Sequence, residues 1–572
     1  MPAPQRRRFA AVLVGLAPLL LVSACSAPGG NPPPATSSSP APSATSAAPS
    51  TVSPMESRVT LRVLGSTDLK DMAGVLSAAA DATNVRLDIS YVGSPIGAEM
   101  VAKGKTAGRY DAVWFASNAY LALERGATER VAASTKIMTS PVAFGLESGV
   151  ARRLGWDKRA PTWAQIAAAA SAKRFSYAMS NPATSNAAFS TLAAVATALS
   201  DGGALEVAEV DALAPQLRRV FSAQSLTSDS AAELTEAYLS RAGKRGAPDG
   251  LVNTESALMS LNASGELAKP LTVVIPADGV ISADFPMALL AETRPQARTA
   301  YTVLTDWLRS PAGQKMIMDK TSRRPVAAGV APEKKFGNRM LVELPFPARR
   351  AVLDRLLVTY LNTARRETQS IYVLDLSGSM DGARLDALRS ALISLAGGND
   401  RISSSGYAVF RRRETVSLIG YSNRPRAPQT FRIPPDKPGP ALARIRRAAA
   451  ALETDNGNTA TNSALREAYR LADRQVRANP GALTSIVLMT DGQTNRGITA
   501  AEFRAFYRQP PASTRSVPTF TVKFGTVDAA PLARIAALTG GKQFIARGTR
   551  LVGAFREIRA YQWRASWPWS RW

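Results

Sequence analysis

Asp375-Leu376-Ser377-Gly378-Ser379-Met380 lies between two patterns of different period. The apolar run Ile371-Tyr372-Val373-Leu374 before it is short enough for a buried strand. Arg384 to Leu395 after it repeats as a helix. A carboxylate and two hydroxyls, each two residues apart at a strand's C-terminal end, can turn their oxygens into one concavity. Such a set suits a hard divalent cation with oxygen ligands: Mg2+, or else Mn2+ or Ca2+.

The Asp-x-Ser-x-Ser spacing resembles the metal-binding loop of the von Willebrand factor A family. That resemblance implies a Rossmann-like, doubly wound α/β domain, here over residues 366–560, and two more oxygen donors far along the chain. The threonine it calls for is Thr459, in Asp455-Asn456-Gly457-Asn458-Thr459-Ala460-Thr461 ahead of a helix over Ser463–Ala472. Thr459 is preferred to Thr461 because it directly follows the Gly-x pair. The aspartate is Asp491, closing the apolar strand Ser485-Ile486-Val487-Leu488-Met489-Thr490 and followed by Gly492. A strand over Thr519–Phe524, a helix over Ala530–Leu538 and a glycine stop at Thr539-Gly540-Gly541 follow. Asp381 adds a nearby negative charge without an assigned role.

The implied metal ligands are therefore Asp375, Ser377, Ser379, Thr459 and Asp491. Three neutral hydroxyls under-neutralise a divalent cation and leave an electrophilic position, which a partner protein's carboxylate can fill. The expectation is metal-dependent protein binding, not an enzyme. No group beyond the ligands stands out as a general base. With no histidine in 572 residues, Ser-His-Asp and Cys-His catalysis and His-ligated metal sites are excluded.

Residues 57–345 alternate short apolar runs with helical patterns: strand Val59–Leu64, helix Leu69–Ala82, strand Val85–Val92, strand Asp111–Phe115, helix Tyr120–Arg125. This rhythm predicts parallel sheets covered by helices on both faces. Ligands of such sheets sit beyond the strands' C-terminal ends. The loops expected there are Gly65–Asp68, Ser117-Asn118 and Ser140-Pro141. A strand over Arg174–Met179 leads through Ser180-Asn181-Pro182-Ala183-Thr184-Ser185-Asn186 into a helix over Ala187–Leu199. Hydroxyls at that helix start cap it, and they also leave N–H groups facing an anion.

These segments, with Thr254-Glu255-Ser256-Ala257-Leu258, Ile275-Pro276-Ala277-Asp278-Gly279, Asp306 to Gln314 and Ser322 to Val326, are similar to bacterial extracellular solute-binding proteins. The resemblance implies two α/β lobes around a ligand cleft, with Ser66, Thr67, Ser117 and Ser185 as candidate cleft residues. The same hydroxyls also serve as ordinary turn and helix caps. A small solute is the implied ligand, of unread identity, and an ABC-transporter receptor with an accessory docking domain is the alternative function.

The N-terminus reads as an address. Arg6-Arg7-Arg8, the apolar Phe9–Val22 and Leu21-Val22-Ser23-Ala24-Cys25 form a signal peptide over residues 1–25. It resembles a bacterial lipobox, which implies lipidation of Cys25, the chain's single cysteine. Two acyl chains anchor stably where one does not. Residues 26–56, mostly Ala, Pro, Ser, Thr and Gly, cannot build a core and read as a disordered tether. The expected location is the extracytoplasmic face of a cell membrane.

The +26 net charge is uneven: 32 basic against 27 acidic side chains over 58–345, and 35 against 16 over 346–572. Such a field favours polyanions or anionic lipid, or simply solubilises. With no reading helix or aromatic platform, no nucleic-acid partner is expected. Residues 561–572 hold four of eight tryptophans, a tail suited to a membrane interface or to packing on its own domain.

Overall fold

The computed structural model describes residues 53–200, 203–244, 246–337, 340–397, 409–509, 511, 513–515, 517–525, 528–546 and 551–561. Cys25 and its signal segment, most of the 26–56 tether and the tail from 562 onward lie outside the described residues.

Three sheets organise the rest. The strands of the first half are β1 (Val59–Ser66), β2 (Val85–Val92), β3 (Ala112–Trp114), β4 (Val131–Lys136), β5 (Ser140–Glu147), β6 (Tyr177–Ala178), β7 (Gln224–Leu226), β8 (Gly250–Thr254), β9 (Leu271–Val274), β10 (Ser282–Ala283) and β11 (Pro286–Leu290). One lobe has the order β2-β1-β3-β11-β4, and the other β10-β5-β8-β6-β7 with β9 beside β5.

These sheets are mixed, not all parallel as the βαβ rhythm predicts. β11 runs antiparallel to both β3 and β4, and β5 antiparallel to β8 and β9. The cause is the chain's path. It leaves the first lobe after β4, builds the second, and re-enters between β3 and β4 from the side where β3 ends. Ser140-Pro141 is accordingly no loop but the start of β5, and the Ser140 hydroxyl accepts the N–H of Ser256 at 2.9 Å.

The second half is one sheet, β14-β13-β12-β15-β16-β17, made of β12 (Thr368–Asp375), β13 (Glu414–Tyr421), β14 (Gln429–Arg432), β15 (Leu483–Thr490), β16 (Thr519–Lys523) and β17 (Gln543–Ile545). All neighbours are parallel except β13 and β14. β12 is buried along its whole length, as a central strand covered on both faces must be. Tyr372 and Leu374 face one core with the helices Ala383–Leu395, Gly439–Ala450 and Leu551–Tyr561. Ile371 and Val373 face the other with Thr461–Ala478, Ala500–Arg508 and Ala529–Thr539. Gly540, at φ +72°, closes the last of these helices in the left-handed conformation. No described helix is long and apolar enough to cross a membrane.

The two halves are joined by structure. The helix Arg350–Thr359 and the turn Tyr360–Ala364 pack with Phe221 and Leu483 into a core that also holds residues of both lobes. Tyr360 donates to the side chain of Gln224 at 2.8 Å, and Arg366 to its carbonyl at 3.5 Å. Arg241 reaches the carbonyl of Gly540 at 2.9 Å.

Candidate functional site

The five sequence-implied donors converge at the C-terminal ends of β12 and β15. Asp375 is fully buried as the last residue of β12. The chain turns at once, so the Ser377 N–H donates back to Asp375 Oδ1 at 3.0 Å. The hydroxyls of Ser377 and Ser379 lie 3.2 Å apart. Ser379 then donates to Oδ1 of Asp491 at 2.8 Å, joining loops 112 residues apart.

Thr459 arrives on the third loop. Its N–H donates to Asn495 Oδ1 at 2.8 Å, and the loop is fastened to the first one where the Gly378 N–H meets the carbonyl of Gly457 at 3.1 Å. A Cβ placed on Gly492 would stand 3.3 Å from the Thr459 hydroxyl and 3.8 Å from that of Ser379. Glycine here keeps open the space those oxygens border. Thr461, the rejected alternative, begins the helix Thr461–Ala478, and its hydroxyl pairs with that of Tyr421 at 3.2 Å.

Two carboxylates and three hydroxyls, of which Thr459 and Ser379 border the space at Gly492, fit a hard cation of the Mg2+ type by donor chemistry. Among the described residues no group of three or more His, Cys, Asp and Glu exists, so a softer, charge-rich metal centre has no candidate.

Three residues complete the site that the motif alone does not name. Thr490 donates to Asp375 Oδ2 at 2.5 Å, with the Tyr421 hydroxyl at 3.4 Å. Arg384 forms an ion pair with Asp491. Thr490 was readable as the residue before Asp491, whereas nothing in the sequence ties Tyr421 or Arg384 to the site. Burial pushes the Asp375 carboxyl above its ordinary value, and the hydrogen bonds from Thr490 and Ser377 offset this only in part. Asp381 accepts from the Thr454 hydroxyl at 3.3 Å, beside the site.

The cleft candidates behave differently. The Ser66 hydroxyl donates to Asp68 Oδ2 at 2.5 Å and accepts its N–H at 3.3 Å, capping the turn Thr67–Met72. Thr67 is half-buried beside it. Ser117 accepts the N–H of Ala119 at 3.2 Å. Ser185 stands at the helix start but makes no side-chain cap, and instead accepts from Ser180 at 2.7 Å. No hydrogen bond joins any two of these four among the described residues. One turn apart on the helix Asn186–Leu199, the Asn186 amide and the Ser190 hydroxyl are buried without a hydrogen-bond partner.

Residues 371–551 are a von Willebrand factor type A domain. Residues 61–320 match the bacterial extracellular solute-binding protein family. No curated protein matches the chain. Among solved structures, the chain is similar to the periplasmic binding protein AfuA from Actinobacillus pleuropneumoniae, bound to fructose-6-phosphate. The identity is 12%, covering 54% of this chain and 99% of that one, with a TM-score of 0.42. It is also similar to iron-bound HitA from Pseudomonas aeruginosa, at 12% identity, 53% and 98% coverage and a TM-score of 0.40. A periplasmic thiamin binding protein gives 14%, 54% and 97%, with a TM-score of 0.41. Both matched families are binding modules. The type A domain carries the five-oxygen loops, and the solute-binding region carries the mixed sheets of the two lobes.

Proposed function

We propose that this chain is an extracytoplasmic, membrane-anchored lipoprotein whose type A domain binds a partner protein through a divalent cation. The reading is supported by one observation: the hydrogen-bonded chain Asp375–Ser377–Ser379–Asp491, with Thr459 across the space that Gly492 keeps open. Asp375, Ser377, Ser379, Thr459 and Asp491 would hold Mg2+ or Mn2+, and the ion would supply an electrophilic site for a partner's carboxylate. The apolar run Phe9–Val22 and Cys25 support export and lipid anchoring. Calorimetric titration of the full chain with Mn2+ tests the proposal. Binding to the wild type and its loss in Asp375→Ala is the expected result, and equal binding by both removes the site.

A second reading, small-solute capture for an ABC transporter, is favoured by the unpartnered Asn186 and Ser190 at the start of a buried helix. Buried polar groups of this kind call for a polar ligand or water. A thermal-shift screen of the full chain against polar metabolites tests it. A ligand-dependent rise that Asn186→Leu abolishes supports capture, and no rise with any compound counts against it.

A further inference from the structure

Asp491 is engaged at both carboxylate oxygens. Oδ1 takes the Ser379 hydroxyl at 2.8 Å, and Oδ2 takes the guanidinium of Arg384. The same Arg384 nitrogen donates to the carbonyl of Ser379 at 2.9 Å. One cationic group thus bridges the loop after β12 and the loop after β15, against two of the residues implied as metal ligands.

The two carboxylates of the site are not equivalent. Asp375 receives only neutral donors: the Ser377 N–H and the hydroxyls of Thr490 and Tyr421. Asp491 carries a full countercharge. Affinity for a divalent cation rises with the number of uncompensated carboxylates around it. A guanidinium on Asp491 removes one of two, and it repels a second cation brought to the same oxygens.

The pairing is also built to be released. The Asp491 side chain has no exposure, while that of Arg384 is 39% exposed, at the first turn of the helix Ala383–Leu395. A long arginine stem can swing its head into water without moving that helix.

We infer that Arg384 is a resident counter-cation that occupies Asp491 in competition with the divalent ion and so keeps the affinity of the metal site low. The inference rests on the metal-binding reading above and concerns how that site is regulated.

Mn2+ titration of the full chain, followed by calorimetry and by the Mn2+ spin-resonance signal, tests it with Arg384→Gln, Arg384→Met and Arg384→Lys. Removing the charge in Gln or Met is expected to tighten Mn2+ binding about ten- to a hundredfold, the range that one charge-assisted hydrogen bond commands. Lys, which keeps the charge, is expected to stay within about threefold of the wild type. Two neutral variants with different packing guard against a folding effect in either one. Equal affinity in the wild type, Gln and Met overturns the inference while leaving the metal reading intact. Absence of binding in all four proteins overturns both. Binding by Gln and Met where the wild type shows none supports it in its strongest form.

Discussion

Two buried carboxylates sit at opposite ends of the same pair of strands, and their surroundings have opposite character. β12 and β13 pair in register from Thr368 opposite Glu414 to Asp375 opposite Tyr421. Glu414 opens β13 and is gripped by Arg365 and Arg559, the latter at 2.6 and 2.7 Å. Asp375 closes β12 and meets only hydroxyls and an amide. For Glu414, burial alone would raise the pKa, but the two arginines outweigh it and hold the carboxyl below its ordinary value. For Asp375, burial wins and the value goes up. A buried carboxylate gripped by two buried arginines, as Glu414 is, is matched within the fold itself. One left among neutral donors is short of a positive charge, and that shortage is consistent with the proposal that Asp375 ligates an external cation.

The contrast breaks most visibly at Glu414. Glu414→Gln leaves Arg365 and Arg559 buried with reduced compensation and is expected to cost about 3–5 kcal/mol, read from denaturant unfolding. The pH dependence follows the same logic. Because folding lowers the Glu414 value from 4.5, its contribution is full above 4.5 and is lost as pH falls through the folded value. The wild type should therefore lose stability below about pH 4.5 more steeply than Glu414→Gln does.

Asp375 should show the reverse sign. Its value is raised above 3.8, so its contribution is full below 3.8 and is lost as pH rises through the folded value. At pH 7 and without metal, Asp375→Asn should melt no lower than the wild type, yet bind Mn2+ at least about a hundredfold more weakly, since one of two carboxylate ligands is gone. A clear drop in metal-free melting temperature would make Asp375 architectural like Glu414.

The contrast sharpens at Gly492. Gly492→Ala puts a methyl 3.3 Å from the Thr459 hydroxyl without touching a charge. It is expected to weaken Mn2+ binding about tenfold with little change in melting temperature, because a tightly packed site resists even one added carbon. The smallest effect belongs to the solute-binding region. Ser66→Ala removes a local cap and should cost about 1 kcal/mol of stability, with Mn2+ binding unchanged.

The type A domain was the more legible half. Ile371–Leu374 extends to Thr368–Asp375, and Arg384–Leu395 to Ala383–Leu395, because period and flanking turn residues agree there. The helix expected over Ser463–Ala472 runs on to Ala478; its last turns, Asp473-Arg474-Gln475-Val476-Arg477, are mostly polar and lack the apolar repeat. Leu69–Ala82 divides into the turn Thr67–Met72 and the helix Ala73–Thr83, since the Ser66 cap starts the coil earlier and tighter. The mixed strand directions stayed hidden because they depend on a double crossing between lobes, which no local pattern records. The same holds for Arg384 with Asp491 and Glu414 with Arg559, partners 107 and 145 residues apart. The Ser66 hydroxyl bonds within two residues, whereas that of Ser117 bonds both its neighbour Ala119 and the distant Asp284. The Ser379 hydroxyl bonds to Asp491 across 112 residues, a pairing that no local pattern records.

Gln224 ties two parts of the molecule together. It belongs to the second lobe, yet its side chain holds Tyr360 and its carbonyl holds Arg366, on either side of the passage into β12. The connection is therefore a splint rather than a tether. The second lobe and the sheet that begins with β12 are thereby held as one body, so a turn of that lobe carries the C-terminal ends of β12 and β15 with it.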